Sequence, residues 1–166
     1  MSDLPTYDQI TQLPVRVEQV VPQEFIDENG HMNIRHYFDA ASHALWYLNI
    51  ALGMDESYNA DRGLSLFTVE QHLRYFSEMN LGDRFTVHGR LLERSGKVLH
   101  GMAFVVSPDS QSLACTFEAT YIHVSMTTRR SVPIPDDLAA RFDAEIARGD
   151  ELGWAAPVCG AMGVHR

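Results

Sequence analysis

The sequence predicts an α+β fold in which one long helix lies against a curled antiparallel sheet. Three observations predict it. From Asn33 onward, Ile34, Tyr37, Phe38, Ala41, Leu45, Leu48 and Leu52 recur at helical spacing, giving one buried stripe about 18 residues long. Beyond residue 64 the period changes to two and stays so through four stretches, as in half-buried strands. The short connections "NLGD", "RSGK" and "SPDSQ" between those stretches suit antiparallel neighbours. With 166 residues, 45% of them hydrophobic, the chain is long enough for one domain over 1–166, with its core in about 14–130 and a helix and coil in 131–166.

Taken in order, residues 1–13 read as a frayed start and "PVRVEQVV" (14–21) as a short strand. "DENG" (27–30) is a turn, the long helix follows, and Gly53 is its stop. Residues 54–64 read as a polar loop. In "LFTVEQHLRYF" (66–76), Phe67, Val69, Leu73 and Tyr75 fall on one face, and Thr68, Glu70, His72 and Arg74 on the other. "RFTVHGRLLE" (84–93) alternates through Phe85, Val87, Gly89 and Leu91, and "LACTFEATYIHV" (113–124) through Leu113, Cys115, Phe117, Ala119 and Tyr121. "VLHGMAFVV" (98–106), between them, is apolar on both faces. A second amphipathic helix is expected over 136–148, and the apolar tail 152–166, rich in Gly and Pro, should pack as coil. One long helix cannot cover both faces of a sheet with an all-apolar strand. The uncovered face and an open sheet edge therefore predict a homodimer or dimer of dimers.

Charge and composition exclude several classes. The net charge of −9 argues against nucleic acid as a partner. No apolar run approaches the ~20 residues that span a bilayer, and the first residues lack the basic and apolar regions of a secretory signal. Two cysteines without a CxxC point to a reducing cytoplasm and to neither a disulfide framework nor a zinc knuckle. Residues 70–130 are the one stretch where basic groups outnumber acidic ones, so an anionic ligand would find its counter-charges there.

The stretch "IDENGHMNIRHYF" (26–38) joins a carboxylate-bearing turn directly to the helix start. Asp27 is a candidate base or nucleophile. Gly30 lets a ligand approach the backbone. The N–H groups at Gly30, His31 and the helix start are candidates for stabilising negative charge. A calcium loop is excluded, because Gly stands at the fourth position and not the sixth. Asn33 reads as a helix cap. His36, Asp39 and His43 share a helix face that mimics a metal site but reads as a solvated face. Glu70, His72 and Arg74 are three ionisable groups on one strand face, where they must be paired or wet.

The pattern D-x-x-G-H-[MV]-N-x-x-x-Y leading into a long helix and a strand meander resembles the hotdog-fold acyl-CoA thioesterases of the 4-hydroxybenzoyl-CoA type. Asp27, Gly30, His31, Met32, Asn33 and Tyr37 carry the match, and the resemblance covers about 14–130. "DENGHMN" with a following E-x-H-x-x-Y strand is similar to the thioesterases of carnitine breakdown, which act on a betaine-like acyl-CoA. The resemblance implies Asp27, Gly30 and His31 in catalysis, and Asn33, Tyr37, Glu70 and His72 beside the substrate. Arg129 and Arg130, just after the last strand, are candidates for the CoA phosphates, and the resemblance implies no metal and no cofactor. A quaternary-ammonium acyl group needs aromatic faces, for which Tyr37, Phe38, Trp46, Tyr47, Phe67, Tyr75 and Phe76 are the candidates. Two alternatives stand beside this reading. One is a hotdog hydratase, whose D-x-N-P-x-H turn differs from "DENGH" by Gly for Pro and by one residue in His spacing. The other is a non-catalytic acyl-CoA-binding module.

Overall fold

The computed structural model describes residues 4–164; what the sequence suggests for 1–3 and for the last two residues of the tail lies outside them. In chain order the elements are α1 (Tyr7–Ile10), β1 (Val15–Val20), a single 3₁₀ turn (Gln23–Phe25), α2 (Ile34–Ala51) and α3 (Glu56–Arg62). They continue with β2 (Leu64–Tyr75), β3 (Arg84–Arg94), β4 (Val98–Ser107), β5 (Ser112–Ser125) and α4 (Asp136–Asp150). The strands form one antiparallel sheet in the order β1-β3-β4-β5-β2, so β1 and β2 are its edges. This long helix in a five-stranded curled sheet is the hotdog arrangement.

Small residues let α2 lie close to the sheet. A methyl added at Gly89 would come within 3.3 Å of Leu48 and 3.4 Å of Leu45, and one at Gly101 within 3.6 Å of Leu45. Ala41 and Ala44 face them from the helix and are fully buried. Phe85, Val87, Leu91, Leu99, Val105 and Phe117 complete this inner core, each worth roughly 1.5–3 kcal/mol of burial. Gly53, at φ +106°, ends the helix as expected.

Four expectations are corrected. Residues 7–10 are not frayed: Thr6 caps α1 in a capping box with Gln9, and Ile10 is fully buried. Residues 56–62 are helical, capped by Asp55 and closed by Gly63 in the left-handed region. The faces of β2 change at Val69. Thr68 pairs with Tyr121 and Glu70 with Thr120, so Val69 bulges out and is 59% exposed. The bulge puts Phe67 on the outer face with Glu70, His72 and Arg74, and Thr68 on the helix side. Finally, the outer face of β4 is covered within the chain. Met102, Phe104 and Val106 pack against Ile10, Leu13 and Trp154, so α1 and the tail supply the cover once assigned to a second copy.

Candidate active site

The turn before α2 is a small hairpin. The Gly30 N–H donates to Asp27 O at 3.0 Å, the Asp27 N–H to His31 O at 3.1 Å, and Ile26 bridges Met32. Gly30 sits at φ +85°, which a side chain would strain, and the space where its Cβ would stand is open. The hairpin is anchored by the Met32 N–H on Met79 O (2.7 Å) and the Asn33 N–H on Phe25 O (2.8 Å).

Two donors fix the Asp27 carboxylate: the Asn29 N–H reaches Oδ1 and the Asn33 side-chain amide reaches Oδ2, each at 2.9 Å. Asn33 also caps α2, accepting the Arg35 N–H at 3.1 Å. The Asn29 N–H, then the Asn33 amide and the His31 charge, outweigh desolvation and hold the Asp27 carboxyl below its ordinary value. It is therefore a carboxylate at neutral pH. The Gly30 N–H, expected to be free, closes the turn instead. Among the described residues the His31 N–H donates to no acceptor, whereas the Met32, Asn33, Arg35 and His36 N–H groups that follow it are all taken.

A cavity of about 260 Å³ adjoins this turn, lined by His31, Met32, Ile34 and Tyr37 on one side and Tyr75, Phe76, Ser77 and Glu78 on the other. Tyr37 and Tyr75 meet edge to face at 5.4 Å, and the Tyr37 hydroxyl donates to Ser77 O at 3.4 Å. Burial pushes the Tyr37 phenol up to about 12, so it stays neutral. His31 Nε2 stands 3.8 Å from the Glu78 carboxylate, a partner that the sequence reading did not single out. A second cavity, about 150 Å³, lies between α2 and β2, with Trp46, Tyr121, Leu66, Thr68 and Gln71 in its wall. Asn49 there is buried with its Oδ1 unpartnered.

The remaining candidates lie elsewhere. Glu70 and His72 are on the outer face of β2, with the sheet between them and α2. Arg129 and Arg130 are exposed at the end of β5, near the start of β2, whereas Asp27 lies near the far end of that strand. Arg129 stacks over Phe67 at 4.8 Å. The seven aromatic side chains considered for a cationic acyl group are dispersed. Tyr37, Tyr75 and Phe76 share the first cavity, Trp46 lines the second, Phe38 packs on Phe117, and Tyr47 lies by His43. His36 is buried, not solvated: its ring stacks on Phe25 at 3.7 Å and its Nε2 accepts from Arg35.

Fold and turn together define a hotdog protein with a helix-end carboxylate. A family profile described as the thioesterase-like superfamily matches residues 20–142, and the chain belongs to that superfamily. The betainyl-CoA thioesterase of Pseudomonas aeruginosa is 32% identical over 135 residues, covering 81% of this chain and 85% of its own. The L-carnitine dehydrogenase/betainyl-CoA thioesterase of Ruegeria pomeroyi is 34% identical over 141 residues; the match spans 84% of this chain but only 28% of that longer relative. Among solved structures, SAV2348 from Staphylococcus aureus in complex with CoA superposes with a TM-score of 0.76 at 29% identity, over 81% of this chain and 85% of that one. A thioesterase-like protein from Pseudomonas putida shares the fold at 21% identity and a TM-score of 0.72, over 93% and 97% of the two chains. No helix among the described residues is long and apolar enough to cross a membrane.

Proposed function

We propose that this chain hydrolyses acyl-CoA thioesters, and that a betaine-type acyl-CoA from carnitine breakdown is its substrate. The observation that carries the reading is the ionised Asp27 carboxylate, fixed by Asn29 and Asn33 at the N-terminal end of α2 in a member of the thioesterase-like superfamily. The relatives named for betainyl-CoA support the substrate class.

Asp27 either adds to the thioester carbon, giving an anhydride that water opens, or takes a proton from the water that adds. By both routes the carbon–sulfur bond breaks, CoA leaves as a thiolate that takes up a proton, and the free acid departs. The carbonyl oxygen gathers negative charge in the transition state. The His31 N–H and the positive end of α2 receive it, over the open space at Gly30. The acyl group enters the cavity beside the turn, where the faces of Tyr37, Tyr75 and Phe76 and the Glu78 carboxylate suit a cation that has no proton to donate.

The working unit is a homodimer in the cytoplasm. Both cysteines are free thiols, which suits a reducing compartment. The open edge of β2 supports the dimer: Val69 and Tyr75 are exposed on it, and Ile34 and Trp46 are exposed on the neighbouring α2. β2 runs twelve residues, so its ends are roughly 36 Å apart at about 3.3 Å per residue. Antiparallel pairing of two such edges sets the Arg129–Arg130 corner of one copy beside the Asp27 end of the other, in reach of a CoA bound there. Glu70 and His72 keep a substrate role only across that interface. Release of free thiol from a panel of acyl-CoAs tests the function. Turnover of short acyl chains is expected, and binding without thiol release would leave a non-catalytic acyl-CoA module.

A further inference from the structure

We propose that the outer face of the sheet carries a zinc-binding site formed by His72, Glu118 and Cys159. The site lies on the face of the sheet turned away from α2 and from the Asp27 turn of the same chain. The three residues come from the edge strand β2, the inner strand β5 and the C-terminal tail, and nothing in the local sequence brings them together. A ring nitrogen of His72, a carboxylate oxygen of Glu118 and the sulfur of Cys159 all lie within 4.8 Å of one another. A tetrahedral zinc, with bonds of about 2.0–2.3 Å, holds its ligand atoms roughly 3.3–3.7 Å apart. Closing the gap takes a small side-chain adjustment of His72 and Cys159, both only partly buried, and that same exposure admits the ion.

Glu118 is what makes this a built site. It is 1% exposed, and its position directly across from His72 is set by the β2–β5 register. Its Oε1 accepts from His100 Nε2 at 2.9 Å, and its Oε2 accepts the Cys159 N–H at 2.8 Å. His100 is itself held by Glu93 at 3.1 Å through its other nitrogen. The carboxylate is thus oriented by a surrounding layer of hydrogen bonds, as metal-bound carboxylates are, and each oxygen keeps a lone pair for an ion.

The donor set selects the metal. Calcium and magnesium take oxygen ligands, whereas a thiolate, an imidazole and a carboxylate together suit zinc. The carboxylate and thiolate neutralise a divalent charge. Three protein ligands leave one position for water. Bound zinc would tie the tail, which crosses the outer face from Trp154 to Val164, to the edge strand on which the dimer is proposed.

The test is a cobalt(II) titration of the untagged, reduced, metal-stripped chain, followed by zinc. A thiolate-to-cobalt charge-transfer band in the near ultraviolet is expected, saturating at one ion per chain and abolished by zinc. Only Cys159 can produce it, because Cys115 is fully buried on the helix side and its thiol is pushed up to about 12 by burial. Cys159→Ser should remove the band, and His72→Gln should weaken zinc binding at least about tenfold. Absence of the band in the parent overturns the proposal, which needs no folded variant. So does equal zinc stoichiometry in the parent and Cys159→Ser.

Discussion

Asn33 and Asp27 are joined by one amide: Asn33 Nδ2 donates to Asp27 Oδ2 at 2.9 Å while Asn33 Oδ1 accepts the Arg35 N–H at 3.1 Å. The residue that starts the helix thus also aims the carboxylate at the helix end. Asn33→Ala should lose the cap, at about 1 kcal/mol of stability, and free the carboxylate. The Asp27 carboxyl is held below its ordinary value by the Asn29 N–H and by this bond, so the acid limb of kcat/KM should lie below that of an ordinary aspartate in the parent and move upward in Asn33→Ala. Paired pH–rate profiles measure the shift, and coincident limbs would remove Asn33 from the site.

The open edge of β2 predicts the oligomer. Light scattering at micromolar concentration should give about twice the chain mass of 18.7 kDa. Val69→Lys puts a charge on the exposed bulge and should shift the population toward monomer and lower kcat/KM together. A parent that is monomeric and fully active would show that one copy holds the whole site.

Two of the buried histidines, His88 and His123, favour acid lability. The Leu13 carbonyl can only accept, so His88 Nδ1 carries a proton (2.8 Å) and, in the neutral ring, Nε2 accepts from the Thr86 hydroxyl (3.0 Å). His123 likewise donates to Val132 O (3.1 Å) and accepts from the Tyr58 hydroxyl (2.8 Å). Burial holds both below the ordinary histidine value. The unfolded chain therefore takes up protons below about pH 6.5 that the folded chain refuses until lower pH. These two groups should lower stability as pH drops through that window, by at most about 1.4 kcal/mol per pH unit each, against the opposite contribution of His100, whose value, against desolvation, its bonds to Glu118 and Glu93 raise. Urea unfolding at pH 7 and pH 5.5 checks the slope, and His123→Gln should make it shallower.

The acyl preference follows from the cavity of Tyr37, Tyr75, Phe76 and Glu78. A betaine-type acyl-CoA should be cleaved with higher kcat/KM than its neutral isostere, in which tert-butyl replaces trimethylammonium. The two have nearly the same shape, so the comparison isolates charge, worth ~0.5–2 kcal/mol per aromatic face. Equal rates would indicate a plain hydrophobic pocket.

Much of this was legible in the chain because its periods are clean. The 3.6-residue stripe from Ile34 and the alternation in β3 and β5 each had one buried face to specify. α3 carried its own start and stop signals in Asp55 and Gly63, and α1 its Thr6–Gln9 box, but both are too short for a periodic stripe. The bulge at Val69 had no mark, since no Gly or Pro accompanies it, and it reverses the face assignments of the residues before it, Phe67 and Thr68, relative to the rest of β2. Glu78 and the cluster of His72, Glu118 and Cys159 were invisible because their neighbours lie forty or more residues away along the chain, brought in by the β2–β5 register for His72 and Glu118, by the tail for Cys159 and by the turn before α2 for Glu78.

The most direct measurement is free-thiol release from a betaine-type acyl-CoA by the parent chain and by Asp27→Asn, side by side, with circular dichroism to confirm that both are folded. Asn keeps the shape of the turn and removes the charge. The account predicts steady thiol release by the parent and a loss of roughly 10²–10⁴-fold in kcat for the variant. A folded Asp27→Asn variant within threefold of the parent would contradict it and place the chemistry on another residue.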